Sequence, residues 1–94
     1  MRRGAAGKRR DANEPAIIAA LRAVGATVEQ LSAPDLPDLL VGYCGGNWLM
    51  EVKTEKGKLK PGQERWQEWW RGVVDVVRSP EEALRRIGIQ ATRK

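Results

Sequence analysis

Apolar residues first become periodic in DANEPAIIAALRAVGA, where Ile17, Ile18, Leu21 and Val24 fall at helical spacing and Gly25 supplies a stop. This predicts an amphipathic first helix. Residues 27–31, TVEQL, alternate as a short strand does, and the two prolines of SAPDLP then interrupt regular structure. Residues 38–43 and 47–54 read as two strands joined by Cys44, Gly45, Gly46 and Asn47, a hairpin connection. A basic, glycine-containing loop covers residues 56–60. Pro61 and Gly62 introduce a second helix over 63–71, which Gly72 ends. VVDVV at 73–77 has the composition of a buried strand. Ser79, Pro80 and Glu82 then supply an N-cap, a proline at the first helical position and a capping-box acid for a last helix through residue 87. The order is helix, three strands, helix, strand, helix, which places the chain in the α/β class.

Three polar residues break the apolar pattern of the hairpin. On the second hairpin strand Leu49, Glu51 and Lys53 project to one face, with Trp48, Met50, Val52 and Thr54 on the other. If Gly45-Gly46 is a two-residue turn, or residues 44–47 a four-residue loop, opposed residues have numbers summing to 91. Asp38 then faces Lys53 directly, Glu51 lies diagonal to it, and all three share a face. Two carboxylates so placed can share a hard divalent cation, Mg²⁺ or Mn²⁺, and the chain has no histidine to favour a softer metal. Metal-assisted phosphodiester hydrolysis uses such a set, with Lys53 orienting or deprotonating water and offsetting charge. Glu14 heads the core-facing side of the first helix, as a further metal or water contact or as a charge favoured by the helix dipole.

Composition narrows the class further. A chain of 94 residues is one domain with a modest core. Its single cysteine, Cys44, excludes an internal disulfide and, with no histidine, the usual zinc sites. The net charge of +5 is concentrated: residues 1–10 hold five of the 17 basic residues and no acid, leaving 12 basic against 12 acidic over 11–94. Residues 1–10 are thus expected to be a flexible basic arm, and 11–94 the folded domain. Arg9 and Arg10 of the arm, with Lys56, Lys58 and Lys60 after the strand that carries Lys53, suit phosphate and make DNA the expected partner. No apolar run approaches the roughly 18 residues of a membrane span, and no signal-peptide segment follows the basic start, so a cytoplasmic protein of a bacterial or phage-infected cell is expected.

Glu14 in the first helix, Pro37-Asp38 opening a strand, Glu51-Val52-Lys53, Pro61-Gly62-Gln63 with Trp66, and Val76-Val77-Arg78 together resemble the PD-(D/E)XK nuclease superfamily. Within it the likeness is to the small stand-alone VRR-NUC nucleases of phages and bacteria. The resemblance runs over about residues 14–87. It implies a restriction-endonuclease-like α-β-β-β-α-β core with a mixed central sheet and flanking helices. It also implies a metal held by Asp38, Glu51 and the Val52 carbonyl with Glu14 nearby, Lys53 as the catalytic lysine and Gln63 assisting it. Arg78 would contact DNA or brace the site. A homodimer acting as an endonuclease on branched DNA, including four-way junctions, follows from the same likeness. The alternatives are a non-catalytic nucleic-acid-binding module and a subunit of a larger phage DNA-processing complex. Trp66, Trp69 and Trp70 form one helical stripe for core or interface packing, or for base stacking.

Overall fold

Pro15 in the first turn sacrifices no helical hydrogen bond, and Gly25, at φ +96°, reverses the chain where a residue with a Cβ would be strained. Between them α1 (Glu14–Ala23) buries Ile17, Ile18 and Leu21, as the periodicity predicts. The computed structural model describes residues 9–89; of the expected arm, residues 1–8 lie outside the described residues. Three strands follow α1: β1 (Thr27–Gln30), β2 (Leu39–Tyr43) and β3 (Gly46–Val52). Then come α2 (Pro61–Trp69), β4 (Val74–Val77) and α3 (Pro80–Arg86).

The four strands form one sheet in the order β1-β2-β3-β4, antiparallel at the first two junctions and parallel at the last. The sheet is therefore mixed, and α2 is the crossover between its parallel pair. One face carries Leu39, Val41, Met50, Val52 and Val77, which join Ile17 and Leu21 of α1 and Ala83 of α3 in the core. Full burial of each large side chain there contributes about 1.5–3 kcal/mol. The other face carries Leu40, Leu49, Glu51 and Lys53, and the first turn of α2 lies over its polar end, where Gln63 bonds Glu51 and Lys53.

The hairpin corrects the expected pairing. Its turn is Cys44-Gly45, with Tyr43 opposite Gly46, so paired residues sum to 89 and not 91. Both turn residues have positive φ, 49° and 82°, the type I′ geometry whose twist matches that of the strands. Continuing this register sets Asp38 against Glu51, and Lys53 becomes the diagonal neighbour. A shift of two leaves every side chain on its predicted face.

Two smaller departures have local causes. Trp70 is extended, at φ −70° and ψ 126°, so α2 ends at Trp69 and not at residue 71. Strand β4 is an edge: Val77 is buried, but Val74 and Val76 are half-buried and Val73, before the strand, is 74% exposed. The last helix starts as expected, with Ser79 Oγ accepting from Glu82 N at 3.1 Å.

Candidate active site

Glu14, Asp38, Glu51, Lys53 and Gln63 are the buried polar and charged residues of the described chain. Burial of ionisable groups is costly unless they are paired and hydrogen-bonded, so their arrangement needs a reason. Gln63 supplies part of it. Its Nε2 donates to Glu51 Oε2 at 2.8 Å while its Oε1 accepts from Lys53 Nζ at 2.9 Å and from the Lys60 backbone N–H at 3.0 Å. The amide thus spaces the carboxylate from the ammonium, whose direct separation is 3.5 Å. Helix α2 begins at Pro61, which fixes Gln63 at its third position, aimed back over the sheet.

Asp38 is held from below. Its Oδ2 accepts from the Val52 backbone N–H at 2.8 Å, which ties the residue before β2 to the end of β3. Its Oδ1 lies 3.6 Å from Arg10 NH1, and the same nitrogen donates to Glu14 Oε2 at 3.2 Å. Arg10 NH2 donates to the Leu31 carbonyl at 2.9 Å. Glu14 also accepts from Gln30 Nε2 at 2.9 Å, so the first-helix acid is bound to the arm and to β1. A cleft of about 500 Å³ opens over this cluster, lined among others by Arg10, Asp38, Glu51, Val52, Lys53 and Gln63. The Val52 side chain is in the core, so what Val52 presents to the cleft is backbone.

Among solved structures, the chain is similar to one named "VRR_NUC domain", with a TM-score of 0.65 and 31% sequence identity over 82% of this chain and 96% of that one. The chain belongs to the VRR-NUC family. No family model matches the sequence, and neither does any curated protein. VRR-NUC domains are nuclease-type domains, and the mixed four-stranded sheet with three helices agrees with that fold.

The donor chemistry of this cleft fits a hard cation. Asp38 and Glu51 are oxygen donors, the Val52 backbone lines the same cleft, and a protein cation, the Arg10 guanidinium, already stands against Asp38. Among the described residues no three Asp, Glu, His or Cys side chains are grouped to hold a metal by themselves. A cation here would therefore take the two carboxylates and complete its shell with carbonyl and water oxygens.

The basic residues divide into two kinds. Lys56, Lys58 and Lys60 are exposed in the segment after β3, and Lys60 and Arg9 line the cleft. Arg78 is engaged elsewhere: its NH1 donates to the carbonyls of Thr54 at 2.7 Å, Gly57 at 2.8 Å and Glu55 at 3.3 Å. Arg78 thus ties the segment after β3 to the end of β4.

Asn13 and Gln30 were not singled out by sequence. Asn13 Nδ2 donates to the carbonyls of Lys53 at 3.0 Å and Arg78 at 3.1 Å, joining the start of α1 to the ends of two strands. An asparagine just before a helix signals a cap, yet this side chain makes no cap bond. The tryptophans pack on one another, Trp66 on Trp70 with centroids 5.1 Å apart, and Trp69 is 69% exposed. Trp66, Trp69 and Trp70 do not join the core, whereas Trp48 of β3 packs against it.

Proposed function

We propose that this VRR-NUC protein is a divalent-metal-dependent endonuclease that hydrolyses phosphodiester bonds in DNA, with branched molecules such as four-way junctions as its substrate class. The observation that carries the reading is the buried Glu51–Gln63–Lys53 network sharing one cleft with Asp38. A protein that only binds DNA gains nothing from two buried carboxylates facing phosphate.

In this reading Asp38, Glu51 and the Val52 carbonyl would hold Mg²⁺ or Mn²⁺, which would supply Lewis acidity for phosphodiester hydrolysis. Gln63 keeps Lys53 Nζ in place, 2.9 Å from its own oxygen, so the ammonium enters the cleft oriented. Lys53 then offsets charge that develops on the phosphate, in a site where burial makes that interaction stronger than in water. Glu14 keeps Arg10 at the mouth of the cleft. Lys56, Lys58, Lys60 and Arg9 meet the backbone of the substrate beside the site.

A second copy of the chain is the proposed partner. Leu40, Trp70 and Val73 are exposed around one depression on the sheet face beside the site, and Trp69 is exposed as well. Contiguous apolar exposure of this kind supports an interface between copies. Among the described residues no helix is long and apolar enough to cross a membrane.

The test incubates supercoiled plasmid, linear duplex and a four-way junction with protein in Mg²⁺, Mn²⁺ or chelator, beside Asp38→Ala and Lys53→Ala. Metal-dependent cutting that both substitutions abolish, with DNA binding retained, is the expected result. Cutting that survives both substitutions would remove this site from the reaction.

A further inference from the structure

We propose that the Arg10 guanidinium is a tethered counter-ion of the acid site, with which a divalent cation competes for Asp38, so that loading the site frees Arg10 from Asp38 while Glu14 and the Leu31 carbonyl still hold it. This rests on the cation reading above. Arg10 is the residue where the basic arm joins the folded domain, and its guanidinium is seated by three acceptors from three different segments: Glu14 Oε2, Asp38 Oδ1 and the Leu31 carbonyl. The carboxylates that hold it are almost fully buried, with 1% of the Glu14 side chain and 7% of the Asp38 side chain exposed.

Geometry sets the competition. A hard cation on Asp38 lies about 2.1 Å from its oxygen, and with Arg10 at 3.6 Å from Oδ1 the two positive centres would be within about 6 Å of each other. Joint occupancy is then opposed by like-charge repulsion at short range in a half-dry cleft. Of the acceptors of Arg10, Asp38 is the one that the proposed function assigns to the cation, so what Arg10 loses on loading is its hold on Asp38 and not its attachment to Glu14. Linkage makes the effect reciprocal: whatever favours seated Arg10 weakens the cation, and phosphate that draws Arg10 away strengthens it.

The test measures Mn²⁺ binding to DNA-free protein by calorimetry for wild type, Arg10→Gln and Arg65→Gln, the last removing an equal charge from the exposed side of α2. Arg10→Gln is expected to bind Mn²⁺ at least about five-fold more tightly and Arg65→Gln to match wild type. In chelator Arg10→Gln should melt below wild type, because Glu14 and Asp38 lose the Arg10 guanidinium, and Mn²⁺ should raise its Tm by more. If glutamine at this position does not fold, Arg10→Lys, which keeps the charge without the fork, should bind Mn²⁺ more tightly than wild type. Equal or weaker Mn²⁺ binding by Arg10→Gln, with wild type binding normally, would overturn the inference alone. Absence of Mn²⁺ binding in folded wild type and variant alike would overturn the cation reading and this inference with it.

Discussion

Gln63 donates its side-chain N–H to Glu51 over 2.8 Å. The same amide accepts from Lys53, so one neutral residue sets the spacing of the two charged groups expected to do the chemistry. Gln63→Ala removes the spacer and leaves Glu51 and Lys53, now 3.5 Å apart, to collapse on each other. Cleavage should fall about 10–100-fold, the usual effect of a residue that positions ligands. Stability should drop by about 1–3 kcal/mol, because buried polar groups lose partners. Plasmid cutting and thermal melting check the two halves; cutting at the wild-type rate would show that the spacing is unimportant.

Arg78 and the lysines should separate in salt titrations of DNA binding. Lys56 and Lys58 are exposed, and replacing either with alanine should weaken binding and lower the slope of log K against log salt by about 0.9 per lost phosphate contact. Arg78→Ala should weaken binding with less change in slope than the lysine variants, since NH1 of its guanidinium is held by the carbonyls of Thr54, Glu55 and Gly57. It should also speed amide exchange over residues 54–57, which lose their brace. A slope change equal to that of the lysines would make Arg78 a phosphate contact.

These residues also show how far a sequence can be read. The faces of the hairpin were legible because strand alternation survives any even shift in register. The partner of Asp38 was not, because it depends on Cys44 adopting φ 49°, a conformation that cysteine does not announce. Gln63 was legible through its place in a motif. Asn13, Gln30 and the seating of Arg10 were not, since each is a contact between segments far apart in sequence, made by residue types that surface positions share. For α2, the pattern located the helix, but its end was set by Trp70, which leaves the helix to stack on Trp66.

Asn13 offers a test whose sign depends on proton count. Asn13→Ala deletes two donors to the carbonyls of Lys53 and Arg78 and should cost about 1–3 kcal/mol. Asn13→Asp keeps the shape but turns an ionised oxygen toward those carbonyls, so near pH 7 it should be the less stable of the two. The folded state would favour the protonated acid, which can still donate; its relative stability is therefore present at low pH and lost as pH rises. Melting curves between pH 4 and 8 at roughly unit steps should show the two variants converging on acidification, and a constant gap would contradict the donor role.

The turn gives a stability change that should leave the site untouched. Cys44 at φ 49° and Gly45 at φ 82° form a type I′ turn, and for an L-residue other than asparagine or aspartate the left-handed region costs about 1–2 kcal/mol. Cys44→Asn should therefore stabilise the protein by about 0.5 kcal/mol, a rise in Tm of ~2–4 °C. Gly45→Ala meets no atom within 4 Å, so it carries no steric clash, and the cost of about 1 kcal/mol comes from φ alone. Glu51 stands near the far end of β3 from this turn, roughly 20 Å along the strand at the usual rise. Both variants should cut DNA at the wild-type rate while their melting temperatures move in opposite directions. A loss of cutting in folded Cys44→Asn would mean that the hairpin tip reaches the reaction, through substrate or through a second copy of the chain.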